Sequence, residues 1–276
     1  MVVGEIPIDV DVAVLGGGWA GTAAALAAAG RGKQVVLVDA HGPGGRSFQE
    51  IYGPLRALQA AVEPAWRLRA PPFTALHREP FQLDWTTLRG WVQASVQEQV
   101  RRLADQMEEA GVEWVHGRGS FAGERELRVE SEHGLLRYHF ERAVIATGAR
   151  PDASALRAGK FLTPTDLLAL ETLPERLAIQ GGDELSLELA VLCAKLGVQV
   201  TLHMPPGQTL LPGWELDAQE MLRDGLAGLD VTVVAGPPDE TDAPTVITGP
   251  LAPAIDALGL DAVNVHTDPA GFIRVD

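Results

Sequence analysis

The sequence predicts an α/β protein made of two domains, each built from a parallel sheet and helices. Two observations indicate this fold class. Between residues 11 and 39, an apolar run is followed by a cluster of glycines, an alanine-rich segment and a second apolar run. This is the order strand, turn, helix, strand. The same order returns between residues 161 and 213, so we expect a second unit of the same kind.

The composition agrees with this fold class, and the net charge argues against two classes of binding partner. The chain has 276 residues, of which 46% are hydrophobic and 21% charged, enough for two ordinary domains with buried cores. Its net charge of −15 argues against nucleic acid or an anionic membrane surface as a partner. The start of the chain lacks the pattern of a secretory signal. The uncharged span 12–30 contains five glycines, which favours strand, turn and helix over a membrane helix. We therefore expect a cytoplasmic protein.

The first glycine cluster has the spacing of a dinucleotide-binding turn. After an apolar strand at residues 12–15, Gly16, Gly18 and Gly21 form G-x-G-x-x-G. Gly16 permits a tight turn, Gly18 lets the backbone approach a pyrophosphate, and Gly21 lets helix and strand pack closely. Asp39 ends the next strand, where it can accept hydrogen bonds from a ribose diol. The predicted contacts are Gly16, Gly18, Trp19, Ala20, Gly21, Asp39 and Ala40. The alternative is a glycine-rich turn that binds nothing, and the motif by itself does not choose FAD over NAD.

A later segment, "RAVIATGARP" at residues 142–151, is an apolar strand followed by Ala146-Thr147-Gly148 and a proline. Together with the first motif, it resembles the pyridine nucleotide–disulfide oxidoreductases, the flavoproteins that include dihydrolipoamide dehydrogenase, glutathione reductase and mercuric reductase. The resemblance runs along nearly the whole chain. It implies FAD as the cofactor, with Ala146, Thr147 and Gly148 on the flavin side.

The resemblance also implies a domain organisation. The chain would form two Rossmann-like domains with three-layer parallel sheets, the second inserted in the first. Residues 1–150 would be the FAD-binding domain and residues 151–248 a degenerate NAD(P)-binding-like domain. Residues 249–276 would return towards the FAD domain.

Two positions depart from the family where its reactive sulfurs stand. The family continues with G-G-T-C-x4-C-x-P-S-K, and here Ser47 and Tyr52 occupy the cysteine positions. Neither side chain can form a disulfide, and Cys193 is the only cysteine. Both residues fill the space of the cysteines, or Tyr52 stacks on the flavin or donates a hydrogen bond to it. The resemblance places further FAD contacts at Gly45, Arg46, Ser47, Arg56 and Gly119. Gly119 lies in a predicted Gly-x-Gly turn, which in the family touches the adenine side of FAD.

The second glycine motif is altered at two of its three positions. It reads Gly181-x-Asp183-x-x-Ser186, with a carboxylate where the backbone would approach a pyrophosphate. The ribose-reading position is Met204, or His203 in a register shifted by one. Neither is the acid expected for NAD or the arginine expected for NADP. NAD(P)H binding is therefore doubtful, and the module is interpreted as a scaffold.

The remaining segments complete the predicted fold. A helix should begin after Asp84 and run to about Ala110, and a hairpin should turn at His133-Gly134. In the family, the final phrase "DPAGFIRVD" is followed by a Gly-Asp motif that holds the flavin's ribityl chain and by a dimerisation domain, both absent from this sequence. The sequence is either a short natural protein or a fragment, and one alternative is that a partner chain supplies the missing part.

Three functional hypotheses follow. The first is an FAD-binding oxidoreductase without a redox disulfide, exchanging electrons with a small molecule or a protein. The second is a catalytically silent nucleotide-binding or protein-interaction module. The third is an enzyme that uses NAD at the first motif, which the Ala146-Thr147-Gly148 segment disfavours. No catalytic residue and no metal site is assigned.

Overall fold

The computed structural model describes residues 6–69, 83–151, 161–238 and 243–275. Backbone contacts divide the chain into two compact units. Unit 1 comprises Met1–Gln49, Val96–Arg150 and Ala252–Asp276, and unit 2 comprises Glu50–Ser95 and Pro151–Leu251. Unit 2 is inserted in unit 1, as the fold prediction has it. Residues 50–95 group with unit 2, whereas the sequence-based division assigned them to the first domain.

The elements follow the predicted alternation of strands and helices. The strands are β1 (Ile8–Leu15), β2 (Val35–Asp39), β3 (Val112–Gly123), β4 (Glu126–Ser131), β5 (Gly134–Ile145), β6 (Ala149–Pro151), β7 (Phe161–Leu162), β8 (Arg176–Gln180), β9 (Gln199–Met204), β10 (Thr232–Ala235), β11 (Thr245–Ile247) and β12 (Leu251–Pro253). The helices are α1 (Trp19–Ala29), α2 (Gly45–Ser47), α3 (Gly53–Arg67), α4 (Trp85–Glu109), α5 (Pro164–Ala169), α6 (Glu184–Lys195) and α7 (Leu216–Ala227). A π-helical turn, Phe48–Tyr52, joins α2 to α3, and a 3₁₀ turn spans Leu260–Val263.

Unit 1 is built on one sheet that combines parallel and antiparallel pairing. Strands β5, β1, β2 and β3 are parallel neighbours, and Ala13 of β1 is paired with Val36 of β2 and Ala143 of β5. The long strands β3 and β5 continue past this region and pair antiparallel with β4, which closes the sheet into a barrel. Strands β4 and β5 form the predicted hairpin, with Gly134 opening β5.

The parallel strands of unit 1 bury side chains on both faces. Val14 and Leu37 pack in one core with residues of α1 and α4. Leu15 and Val38, which alternate with them, pack in a second core around the fully buried Tyr138. Burial on both faces explains why the strands are continuous apolar runs in the sequence. It also fixes the carboxyl ends of β1 and β2, which carry the first glycine motif and Asp39.

Unit 2 contains an entirely parallel sheet in the order β10-β9-β8-β11-β7. Leu177 and Ile179 of β8 and Leu202 of β9 lie in one core with side chains of α3, α5 and α6. Helix α6 connects the parallel strands β8 and β9, as in a Rossmann-like unit. The predicted α/β fold class is confirmed.

Two searches over the described residues bear on function. None of the helices there combines the length and the apolar character that a membrane span requires. In the same part of the chain, no group of histidine, cysteine, aspartate or glutamate side chains is arranged to hold a metal ion.

Candidate functional site

The turn after β1 is enclosed by the segment that follows β5. Gly16 has a φ of +104° and its N–H donates to the carbonyl of Val38 at 2.8 Å. A Cβ at Gly16 would lie 2.3 Å from the carbonyl oxygen of Ala146, and one at Gly21 would lie 1.8 Å from the carbonyl oxygen of Gly16. The N–H of Ala146 donates to Leu15 at 2.7 Å. The structure thus brings Gly16, Gly21 and Ala146 into direct contact.

Gly18 differs because nothing lies within 4 Å of the position of its missing Cβ. It is the N-cap of α1, in extended conformation (φ −66°, ψ −178°), with no capping side chain and no acid in the first helical turn. Trp19 and Ala20, the first two residues of α1, are exposed. The amino end of a helix carries partial positive charge and donor N–H groups, and so favours an anion. This end of α1 is open and uncapped.

Asp39 holds the glycine turn and the following loop together. Its Oδ2 accepts from the N–H of Gly17 at 2.7 Å, and its Oδ1 accepts from the N–H groups of His41 at 2.6 Å and Gly42 at 3.0 Å. A carboxylate offers about four acceptor positions, so roughly one remains on Oδ2 for an external donor. The carbonyl oxygen of Ala40 lies 2.9 Å from Nε2 of His116, which is hydrogen-bonding distance.

The loop after β2 packs against the same turn. Gly45 has a φ of +63°, and a Cβ there would lie 2.8 Å from the nitrogen of Gly18. The buried ring of Phe48 lies in a T-shaped arrangement with Trp19, at 5.0 Å between ring centroids. Arg46 and Ser47 are exposed on α2. The structure therefore gathers Gly18, Trp19 and Gly45 at the amino end of α1.

Two further segments predicted to contact FAD lie in different settings. Thr147 and Gly148 follow β5, and the carbonyl of Gly148 accepts from the N–H of Ala254 at 2.9 Å. The predicted Gly-x-Gly turn at Gly119 is wrong: β3 runs unbroken from Val112 to Gly123. A Cβ at Gly119 would lie 2.3 Å from a terminal methyl of Leu15, so a side chain there would displace Leu15 in the barrel core. A cofactor contact at Gly119 stays a prediction.

Tyr52 and Arg56 belong to unit 2. Arg56 pairs with Glu188 of α6 at 3.0 Å and donates to Gln59 at 2.7 Å. Tyr52 is 40% exposed. Its pKa is raised, first by partial burial and then by the carboxylates of Glu188, Asp183 and Glu184, with Arg56 acting in the opposite direction. The phenol, which is protonated at neutral pH at its ordinary pKa, therefore loses its proton only at a higher pH than a free tyrosine.

The second glycine motif has a closed helix end. Asp183 is the N-cap of α6, and its Oδ1 accepts from the N–H of Ser186 at 2.8 Å. Its Oδ2 accepts from the hydroxyl of Thr248 at 3.0 Å. The residues present therefore do not fit a dinucleotide in the usual position, in contrast to the open end of α1.

Several contributors to the first site were missed from the sequence. The N–H of Gly17 donates to the carboxylate of Asp39. Gly42, with a φ of +91°, donates to the same carboxylate from the loop after β2. Both glycines stand close to predicted site residues in glycine-rich stretches, and this position in the sequence could have indicated that they belong to the site. Phe48 and His116 reach the site only through the packing of α2 and β3, and nothing in the sequence marks them.

Comparison with known proteins identifies the family. The profile of the family described as pyridine nucleotide-disulphide oxidoreductase matches residues 10–238. The chain belongs to this family. It is 29% identical over 305 residues to dihydrolipoyl dehydrogenase 2 of Haloarcula marismortui and 28% identical over 301 residues to dihydrolipoyl dehydrogenase of Bacillus subtilis. Each comparison covers 100% of this chain and 64% of the relative, so the chain spans less than two thirds of their length.

Solved structures give the same fold. The Cu(II) complex of the HOCl-induced flavoprotein disulfide reductase RclA from Escherichia coli matches with a TM-score of 0.80 and 19% identity. The match covers 97% of this chain and 62% of that chain. Members of the family are FAD-dependent flavoproteins, which supports the predicted cofactor. The open end of α1, with Gly18 and Asp39 beside it, fits the ADP half of FAD.

Proposed function

We propose that this chain is the nucleotide-binding part of an FAD-dependent oxidoreductase that works without a redox disulfide. The supporting observation is the contrast within the first motif: protein atoms require Gly16 and Gly21, whereas the space beside Gly18 is open. A pyrophosphate at the uncapped end of α1 would accept the N–H groups there. The remaining acceptor position of Asp39 would take one ribose hydroxyl.

The route of electrons would bypass sulfur. FAD, when bound, supplies hydride and single-electron chemistry, and the protein positions and tunes it. Ser47 and Tyr52 stand where the family has cysteines, and the sequence contains one cysteine, the buried Cys193. The donor or acceptor would be a small molecule or a protein. Tyr52, protonated at neutral pH, can donate a hydrogen bond but cannot relay electrons as a dithiol does.

Reconstitution with FAD tests this function. The purified chain should take up FAD with a visible flavin absorbance band and an increased midpoint of thermal unfolding, because a ligand that binds only the folded state stabilises it. Denaturation should then release FAD and not NAD. Absence of both the absorbance band and the thermal shift would contradict the proposal, and release of NAD would favour the enzyme that uses NAD at the first motif.

A catalytically silent nucleotide-binding module is the second candidate. The closed amino end of α6 favours it, because NADH or NADPH, the usual electron donors of the family, would have no binding site there. Chemically reduced holoprotein mixed with a quinone or with cytochrome c distinguishes the two. Electron transfer faster than from reduced FAD free in solution supports an oxidoreductase. Transfer no faster than from free reduced FAD supports the silent module.

A further inference from the structure

The amino end of α6 is organised in the opposite way to that of α1. At α1 no side chain caps the helix. At α6 the carboxylate of Asp183 takes the N–H of Ser186, the donor that a phosphate would need, and Glu184 adds a second negative charge in the first turn. A pyrophosphate there would lose a donor and meet two carboxylates.

The space above this turn is also filled. A Cβ at Gly181 would lie 2.4 Å from the hydroxyl of Thr248. A Cβ at Gly182 would lie 2.5 Å from the terminal methyl of Met204 and 2.9 Å from the carbonyl oxygen of Thr209. Gly181 of this motif and the neighbouring Gly182 are therefore closely surrounded by the protein's own atoms, as Gly16 and Gly21 are, and neither has the open space found beside Gly18.

The contacts tie three segments of unit 2 together. Asp183 joins the amino end of α6 to Thr248, the residue that follows β11. The carbonyl of Gly182 accepts from the N–H of Leu211 at 2.7 Å, and Leu211 is buried in the core of the unit. The polar groups that would bind a dinucleotide instead hold β11 and the segment around Leu211.

Neither candidate for reading a ribose is placed to do so. Met204 is buried and belongs to the core, with its methyl group over Gly182. Side chains alternate along a strand, so His203 points to the other face of β9. There it lines a cavity of about 230 Å³ with Thr201 and Gln199, and its Nδ1 is buried without a hydrogen-bond partner among the described residues.

We infer that the second dinucleotide motif has become an internal latch, in which Asp183 and Thr248 replace the cofactor's contacts and unit 2 binds neither NADH nor NADPH at α6. The inference concerns unit 2 alone and does not depend on FAD binding to unit 1.

Titration of the full chain, with one equivalent of FAD present, tests the binding part. ADP is left out, because it is the half of NADH that would occupy a site at α6. Isothermal calorimetry with NADH and NADPH should show no saturable binding up to about 1 mM, a concentration at which even weak sites fill. Amide NMR shifts at residues 181–186 should stay unchanged. Saturable binding accompanied by shifts at these residues would overturn the inference, whatever the outcome of FAD reconstitution.

A double-mutant cycle tests the latch. Asp183→Ala and Thr248→Val should each lower the midpoint of thermal unfolding. The double variant should lower it by clearly less than the sum of the two, because each substitution removes the same hydrogen bond between Thr248 and Asp183. Additive effects would contradict a shared latch. Asp217→Ala is the matched control, since Asp217 is an acid in the first turn of α7 that does not cap its helix. If Asp183→Ala does not fold, Asp183→Ser completes the cycle, because a serine hydroxyl can still cap the N–H of Ser186 while the carboxylate oxygen that binds Thr248 is removed.

Discussion

At the scale of single residues, the three glycines of the first motif differ in what requires them. Gly16 has a positive φ and touches Ala146, and Gly21 touches the carbonyl of Gly16. The fold needs both. Gly18 has ordinary extended angles and open space beside it, so the fold would accept a methyl group there. The dinucleotide proposed above would supply the reason for glycine at this position.

The first prediction compares Gly18→Ala with Gly21→Ala. Gly18→Ala should change the stability of the chain without ligand by less than about 0.5 kcal/mol, as for an unhindered surface site. It should weaken FAD binding at least about tenfold, or about 1.4 kcal/mol, because the methyl group occupies the approach of the pyrophosphate. Gly21→Ala should lower stability by about 1–3 kcal/mol through overpacking. Urea unfolding and FAD titration measure these effects. Unchanged FAD affinity in Gly18→Ala would remove the reason given for this glycine.

The second prediction concerns Asp39. Asp39→Ala leaves the N–H groups of Gly17, His41 and Gly42 without their acceptor, so the free energy of unfolding should fall by about 1–3 kcal/mol even without FAD. The free energy of unfolding of Asp39→Asn should lie between those of wild type and Asp39→Ala, because one oxygen of the side chain still accepts hydrogen bonds. Asp9→Ala is the control: the Asp9 side chain is 90% exposed and its removal should cost little. Equal stability of Asp39→Ala and wild type in urea unfolding would contradict the described role.

At the scale of elements, the ends of helices and strands decide what each unit can bind. Helices α1 and α6 follow parallel strands in the same way, yet one has an open amino end and the other is capped by Asp183. Between α2 and α3, the chain widens into a π-helical turn at Phe48–Tyr52. Such turns are often found at functional sites, and this one carries Tyr52, which the resemblance predicts to stand at the position of the second family cysteine.

The third prediction uses Tyr138, which is buried in the barrel and donates to Glu113 at 2.7 Å. Burial, followed by this hydrogen bond and the charge of Glu113, raises its pKa well above the usual value near 10. The folded form therefore holds the proton more tightly than the unfolded chain. The stabilisation is complete below about pH 10 and is lost as the pH rises further. Tyr138→Phe should flatten the alkaline fall in the thermal midpoint. An identical pH profile in both proteins would refute this.

The fourth prediction concerns Cys193 on the buried face of α6. Burial raises its pKa to about 12 and it is 3% exposed. Iodoacetamide should therefore not modify the native chain at pH 8, whereas urea should make it react fully, because only a thiolate in contact with solvent is nucleophilic. Mass spectrometry measures the modification. Rapid labelling of the folded chain would show that α6 opens readily.

At the scale of the whole molecule, each unit has its own hydrophobic core. The cores of unit 1 surround β1, β2 and the barrel, and the core of unit 2 surrounds β8 and β9. The two glycine motifs thus stand on separately packed sheets. One motif can remain open while the other becomes internal structure, since neither core depends on the other motif.

The fifth prediction follows from this separation. FAD should slow amide hydrogen exchange at residues 16–21 and 39–45 of unit 1, because a ligand suppresses local opening at its site. NADH added in the same concentration range should leave residues 181–186 unchanged. Hydrogen exchange with mass spectrometry resolves both regions. Protection by FAD that spares residues 16–21 would place the cofactor elsewhere.

The sequence alone determined the fold class, the order of the elements and the first glycine motif. These depend on local features: apolar runs, glycine spacing and chain order, together with a family resemblance carried by residues 16–21 and 146–148. It also predicts, through the family resemblance, that Ser47 and Tyr52 stand at the cysteine positions.

The tertiary structure decided what each position contacts. Only the packing showed that Gly119 faces Leu15 within an unbroken strand. It also showed that the carboxylate of Asp39 accepts most of its hydrogen bonds from backbone N–H groups of the protein itself. It likewise showed Thr248, distant in sequence, completing the cap made by Asp183. Such contacts join segments far apart in the chain, and a residue pattern carries no information about which distant group will fill a given space.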